Sequence, residues 1–374
     1  MQACVRFVAI LLLTSFAVAG PLDPPAGPIA PTPGPEPRIP IGPDTTPGDS
    51  DSTYRIATGG SYYLTGNLEG EVGKHGIEIA TSNVTIDLNG YVLNGVAGSL
   101  SGISGGAGGT TSMQIRNGSV NNWGGSGIEL SFAVTVVVED VVAEGNGLHG
   151  IASGTSCIVR SCIVRDNDTA GIVGFGNCQI ESCVATGNGF LGIQLSNGVV
   201  RSCTSTLNGG RGVTGVGRVV MSDVQVAEND GGGMAGGSDS VFTNCSAANN
   251  GDFGISVGNT SIVERCTVNS NFADGVLITS RCIARDNVCE GNGDGGTGAG
   301  VHATGDDNHI EGNLLLNNDS GVDADGNRTL VVRNHARGNT ANFANVSGGN
   351  FLAHIVNDAA AMNAATNSNV NWSF

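Results

Sequence analysis

The sequence predicts an all-β chain wound as a right-handed parallel β-helix, a solenoid of about 12 coils with a cap at each end. Three series of residues, in phase with one another, predict it. Gly followed by Ile or Val recurs at Gly76-Ile77, Gly102-Ile103, Gly127-Ile128, Gly150-Ile151, Gly171-Ile172, Gly192-Ile193, Gly212-Val213, Gly254-Ile255, Gly275-Val276, Gly300-Val301 and Gly321-Val322. The spacings are 26, 25, 23, 21, 21, 20, 42, 21, 25 and 21, where the 42 is two periods with the missing start near Gly233-Met234. Asn146, Asn167, Asn188, Asn208, Asn229, Asn250, Asn271 and Asn292 run at intervals of 20 or 21, and Asn318 and Asn339 continue them after one longer coil. Cys162, Cys183 and Cys203 fall on successive repeats, as do Cys245 and Cys266, and Asn287 and Asn313 take the same place later.

A period of 21 is too short for a βα crossover of roughly 30 residues. It suits three short strands and three turns, so that equivalent residues stack about 4.8 Å apart. The Ile or Val after each Gly then points inward, and each such burial contributes about 1.5–3 kcal/mol. Val159, Ile180, Val200 and Val263 form a second inward row. The Gly permits positive φ or a close backbone approach. The Asn series occupies a bend, where each amide bridges backbone groups of its own and neighbouring coils.

The elements follow in chain order. Residues 1–19 read as a secretory signal peptide: Arg6, an apolar run from Phe7 to Leu13 and on through Phe16, and a small-x-small site at Ala17-Val18-Ala19, with cleavage after Ala19. That places the chain outside the cell or on its surface. Residues 20–48 read as a Pro-rich linker, because Pro21 to Pro47 holds all 11 prolines and no proline follows Gly48. Such a segment is an extended spacer, and the proline-free remainder suits strands whose N–H groups must all donate. Residues 49–374 are the β-helix with its caps. Tyr54 to Leu68 form the N-terminal cap and the residues after Asn342, ending Trp372-Ser373-Phe374, the C-terminal cover over strand edges. Arg160, Glu181 and Arg201 share one outward column, and Glu264, Arg285 and Glu311 share it later, which sets charges of opposite sign one rung apart. One-residue register slips are expected around Asp223.

Composition excludes other classes. The net charge is −17 and Lys74 is the only lysine, so clustered basic charge for nucleic acid is missing. Hydrophobic residues at 39% and charged residues at 13% argue against disorder. The apolar run near the start is too short for a transmembrane segment. Without Cys4, nine cysteines remain; Cys157–Cys178, Cys162–Cys183 and Cys245–Cys266 have the stacking distance for disulfides, and small apolar filling of an inward column is the other reading.

The Gly-Ile starts, the Asn series, Tyr62-Tyr63-Leu64-Thr65-Gly66-Asn67, Val84-Thr85-Ile86-Asp87-Leu88-Asn89-Gly90 and the Trp372-Ser373-Phe374 ending resemble secreted bacterial right-handed β-helix repeat proteins of the pectin-lyase-like class. The resemblance covers Tyr54 to Phe374. It implies the fold, and a class that spans polysaccharide lyases, glycoside hydrolases, uronate epimerases and surface or adhesive proteins.

Chemistry, if present, concentrates on the late coils, where Asp294, Asp306, Asp307, Asp319, Asp323 and Asp325 accompany His302 and His309. Asp306 and Asp307, with His309 near them, are the candidate catalytic groups, since glycoside hydrolysis needs two carboxyl groups flanking the bond. Asp319, Asp323 and Asp325, with Asn327, are the candidate ligands for Ca²⁺, although the distal bidentate Glu of a calcium loop is missing. The class pairs such calcium with an Arg base, for which Arg328 or Arg333 would stand. No Ser/His/Asp triad can be assigned. Phe190, Phe253 and Phe272 form no single column and read as turn plugs rather than sugar platforms. The expected function is a non-catalytic extracellular or cell-surface scaffold that touches polysaccharide; the alternative is a polysaccharide lyase, glycoside hydrolase or uronate epimerase working on the acidic late coils.

Overall fold

The computed structural model describes residues 38–106, 109–294, 296, 298–346, 349–357 and 368–374. The expected signal peptide and the spacer as far as Pro37 lie outside the described residues. The described chain is a right-handed parallel β-solenoid of about 15 turns with three strand columns. Every paired strand is parallel to its neighbour one coil away, as a solenoid requires; the isolated bridge Pro47–Tyr54 is antiparallel.

Column A is the Gly-Ile series. Ile77, Ile103, Ile128, Ile151, Ile172, Ile193, Val213, Met234, Ile255, Val276, Val301 and Val322 stand in register, and each is 0% exposed. Met234 fills the missing start. Column B buries Val138, Val159, Ile180, Val200, Met221, Phe242 and Val263. Column C buries Val164, Ala185, Ser205, Val226, Ala247 and Val268. Together these three rows make one dry core along the axis.

Three differences from the sequence reading have physical reasons. The turn count exceeds 12 because coils also form where no Gly-Ile pair marks them: Tyr54 stands in register with Ile77, and Phe343 with Val322. The stack also starts earlier than residue 49. Ile39–Pro40 pairs with Tyr62–Tyr63, Ile41 is buried, and the Ile41 N–H donates to the Tyr63 carbonyl at 2.9 Å. Pro40 is tolerated because it lies on an edge strand. Tyr62 and Leu64 are therefore core of the first coil, and Arg38–Pro47 covers it. The one-residue slip sits not at Asp223 but in the corner between columns A and B, where Gly174–Asn177 faces Leu195–Asn197.

The corner between columns B and C is two residues long. Its first residue takes the left-handed conformation on coil after coil, at Ser161, Ser182, Ser202, Asp223, Asn244, Arg265, Asp286 and Arg333, with φ between 52° and 57°. Such a sharp corner lets three strands close in 21 residues. The Gly that recurs at the start of each repeat has a different duty. A Cβ on Gly171 would lie 2.7 Å from the Gly192 carbonyl oxygen and 2.9 Å from Nδ2 of Asn188, so it is close approach between coils that demands glycine.

The Asn series is a buried ladder. From Asn146 to Asn318 each Nδ2 donates to Oδ1 of the next Asn at 2.9 Å, and Asn318 donates to Asn339 at 3.1 Å. The same Oδ1 accepts the backbone N–H of the preceding Asn, as Asn188 does from Asn167 at 3.3 Å. The cysteine series is a second column. Cys162, Cys183, Cys203, Cys245 and Cys266 are buried, Val224 fills the coil between them, and Asn287, Asn313, Asn334 and Asn371 continue it as amides. Of the three expected pairs, Cys157–Cys178 is a disulfide with Cα atoms 4.6 Å apart. Cys162, Cys183, Cys245 and Cys266 are free thiols that donate to backbone carbonyls. Asn371–Ser373 closes the far end by pairing with His335 and Ala336, where Trp372 stacks on Phe374.

Candidate functional site

Outward side chains of column A carry the richest chemistry on the late coils. His302 is the fourth residue of the strand Ala299–Ala303, so it faces out while Val301 and Ala303 on either side face in. Its register neighbours are Leu277 on one coil and Asp323 on the next. Asp274, at the turn entering column A, reaches over one coil. Its Oδ1 accepts the Ala299 N–H at 2.8 Å, and its Oδ2 lies 2.9 Å from His302 Nδ1. On the other side, His302 Nε2 lies 3.1 Å from Asp325 Oδ2. Asn345 Nδ2 donates to Asp323 Oδ1 at 2.8 Å and to Asp325 Oδ1 at 3.2 Å, which ties the two carboxylates together.

The hydrogen bond from Asp274, opposed by burial and reinforced by the charges of Asp274 and Asp323 and by Asp325, pushes the His302 pKa up to about 9. At neutral pH the ring is therefore an imidazolium that donates from both nitrogens. His302, Asp323 and Asp325 also bring donor atoms within 4.8 Å of one another, the composition of a divalent-cation site. Calcium prefers oxygen ligands alone, so Asp323 and Asp325 suit it and the imidazole does not.

The other predicted residues do not join this cluster. Asp319 Oδ2 accepts the N–H groups of Gly296 at 2.9 Å and Gly298 at 3.2 Å, so it pins the inserted loop of the longer coil. Asp306 and Asp307 lie on an exposed corner between columns A and B. Arg328 grips Asp307 through Nε at 2.6 Å and a second nitrogen at 2.9 Å, and reaches Asp306 at 3.2 Å. The Arg328 hydrogen bonds hold the Asp307 carboxyl below its ordinary value. Asn327 donates its N–H to Asp306 Oδ1 at 2.9 Å. His309 stands on column B, between Ile283 and Leu330. Its Nε2 is 3.0 Å from Glu311 Oε2 without making a hydrogen bond. Burial, with Arg333 and Arg285 nearby, lowers its pKa. Arg333 is paired with Glu311. The expected catalytic set of Asp306, Asp307 and His309 is thus divided between a corner and a different column, because residues three apart around a short turn leave the sheet on different faces.

Asp274 was not legible as a site residue. The signal that places it is its position before Gly275, one coil below Ala299 and three residues out of phase with His302. A second acidic group, Asp49, Asp51 and Glu78, forms at the opposite end of column A, where Arg55 holds Glu78 at 2.9 Å and Asp49 at 3.3 Å. Of the aromatics, Phe253 is a turn plug, packed where a Cβ on Gly232 would meet its ring at 2.6 Å, with the Arg211 guanidinium 5.3 Å from the ring centre. Phe190 and Phe272 are exposed and plug nothing.

The sequence matches the family described as right handed beta helix region over residues 56–208 and 175–315. This chain belongs to the right-handed beta helix family. No curated protein sequence matches it. Among solved structures, the A-module of the Azotobacter vinelandii mannuronan C-5 epimerase AlgE4 is similar with a TM-score of 0.60 at 15% identity, covering 79% of this chain and 91% of that one. The A-module of AlgE6 from the same organism is similar with a TM-score of 0.58 at 16% identity, covering 79% and 90%. At this identity the likeness is one of fold. A right-handed beta helix offers long outer faces of stacked strands, and what such a face does is decided by its own side chains. Among the described residues no helix is long and apolar enough to cross a membrane.

Proposed function

We propose that this right-handed beta helix is a non-catalytic scaffold outside the cell that binds polysaccharide along its outer strands. The observation that carries the reading is that the acids singled out as catalytic groups or calcium ligands, Asp306, Asp307, Asp319, Asp323 and Asp325, are each engaged within the fold. Arg328 holds Asp306 and Asp307, loop amides hold Asp319, Asp323 and Asp325 share Asn345, and Asp325 also meets His302. Glycoside hydrolysis needs one carboxyl group free to protonate and another free to attack or to activate water. Neither role has a free occupant among these five acids. The polysaccharide part of the reading rests on the shape: repeated outward side chains at a rung spacing of about 4.8 Å present a linear array to a linear polymer. It fits the epimerase modules that share the fold.

One observation favours the other reading, a lyase, hydrolase or epimerase on the late coils. His302 is a protonated imidazole on an outer face beside three carboxylates, a group that can deliver a proton to a leaving oxygen. Calcium enters either reading at Asp323 and Asp325, as a bridge between an acidic protein and an acidic glycan. The deciding experiment incubates the secreted chain with neutral and acidic polysaccharides, with Ca²⁺ or chelator, and measures retention on the polymer together with product release. Retention without products is the expected result. Products that disappear in His302→Ala would replace the scaffold by an enzyme.

A further inference from the structure

In a chain of net charge −17 most arginines hold a carboxylate, as Arg160 holds Glu139 and Arg285 holds Glu264. Among the described residues, Arg201, Arg211, Arg218, Arg281 and Arg337 form no ion pair, and the first three lie on one stretch of chain in the middle of the solenoid. Arg211 is spent on the Phe253 ring. Arg201 and Arg218 border an indentation with a structural cause. The coil that runs through Asn197 is one residue shorter than its predecessor at the corner between columns A and B. The corner recedes so far that a Cβ on Gly198 would lie 1.9 Å from the Cys178 carbonyl oxygen, and Gly198 takes φ +133°, which an L side chain rarely adopts.

The receding corner leaves a groove of about 510 Å³. It is lined by the polar side chains of Asn177, Gln179, Asn197 and Arg218 and by Val199 and Val220, which stand in one outward row with Gln179. A recess of about 130 Å³ continues it past Glu181 to Arg201. The backbone of Arg218 is fixed from both sides: Asn197 Oδ1 accepts its N–H at 3.2 Å, and its carbonyl accepts the Gly198 N–H at 3.2 Å. The backbone of Arg218 is thus held at the rim, and its side chain is exposed and forms no ion pair. Glu181 neighbours Arg201 in register and shares its charge, so Arg218 is the unshared cation.

We propose that this groove binds an anionic group carried on a glycan, a carboxylate or a sulfate ester, through the Arg218 guanidinium. Guanidinium and oxyanion match in a two-pronged hydrogen-bonded pair. The side-chain amides of Asn177, Gln179 and Asn197 take sugar hydroxyls, and Val199 and Val220 meet the apolar face of the ring. The site lies at a corner and column B, away from the His302 cluster on column A. It deepens the polysaccharide reading and rests on it, and it gives an acidic protein a place to hold an acidic polymer without a bridging cation.

The test measures affinity for an oligouronate, a sulfated oligosaccharide and a neutral oligosaccharide of equal length, with chelator present, at two salt concentrations. Arg218→Gln should weaken the charged ligand about tenfold, the equivalent of one charge-assisted contact, remove part of its salt dependence and leave the neutral one unchanged. Arg165→Gln, whose guanidinium is paired with Glu144, is the control that should bind as the parent does. Whichever charged ligand responds identifies the group as carboxylate or sulfate. Equal affinities in parent and Arg218→Gln overturn the inference. So does binding of the neutral oligosaccharide alone, which would leave the scaffold reading standing; failure of all three to bind removes both.

Discussion

Two stretches of one column, the corner between the second and third strands of each coil, are built from different chemistry. In the middle coils the position is Cys162, Cys183, Cys203, Val224, Cys245 and Cys266; in the late coils it is Asn287, Asn313, Asn334 and Asn371. The backbone corner is the same in both as far as Asn334, with its left-handed first residue. The thiols fill space and make long contacts, as Cys183 Sγ does to the Val159 carbonyl at 3.5 Å, or as the Cys183 N–H does to Cys203 Sγ at 3.4 Å. The amides make short ones: Asn313 donates to the Ala284 carbonyl at 2.9 Å and to Asn334 Oδ1 at 2.9 Å, and accepts from Asn287 at 3.0 Å. The difference shows that coil geometry asks this position for a small buried group and leaves open whether apolar filling or polar satisfaction holds it. The middle coils add a covalent tie, Cys157–Cys178, and the late coils an ionic one, His302 with its carboxylates.

If that contrast is right, Asn313→Ala has the largest effect. It strands the Asn287 amide and N–H and the Ala284 carbonyl inside the core, at a cost of about 3–5 kcal/mol, read as a shift in the guanidinium unfolding midpoint. Next is removal of the middle-coil bridge. Cys157 and Cys178 are 21 residues apart, and closing a loop of that size stabilises by about 3 kcal/mol. Reductant should therefore lower the midpoint of the parent and leave a Cys157→Ser, Cys178→Ser variant where it was.

The ionic tie of the late coils should show in pH. The folded pKa of His302, about 9, lies above its ordinary 6.5, so the folded state binds its proton more tightly. The stabilisation is complete below pH 6.5 and is lost as pH rises through about 9. Because the ring is partly solvated, about 1–2 kcal/mol is expected. A titration of unfolding midpoint against pH that is as steep in His302→Gln as in the parent breaks the assignment. The smallest effect belongs to Cys183→Ala, about 1 kcal/mol for a small filler. A cost matching that of Asn313→Ala would mean that the thiols are bonded as tightly as the amides and would erase the contrast. Hydrogen bonding with Cys162, together with burial, pushes the Cys183 thiol up to about 12, so alkylation of the folded protein should spare it.

Much of the fold was legible because a solenoid writes its geometry into spacing. The 21-residue period located column A, the Asn ladder and the outward charge column, since each coil repeats the same backbone path. Coils without markers, those of Tyr54 and Phe343, were not legible, because packing rather than a motif builds them. The candidate site was legible only as a region. Sequence placed Asp306, Asp307 and His309 side by side, yet a single corner turn sends them to different faces. Asp274 and His302, 28 residues apart, meet because a side chain at a turn reaches its neighbour one coil on.

Sequence by itself determined the repeat, the inward rows and the need for glycine at each start, because these follow from local periodicity and from the stacking distance of parallel strands. Tertiary structure alone decided which thiols are bridged, where the one-residue slip opens a groove, and which acids find a partner. These depend on where a side chain lands across coils, and a change of one residue in a corner turns it toward a different neighbour.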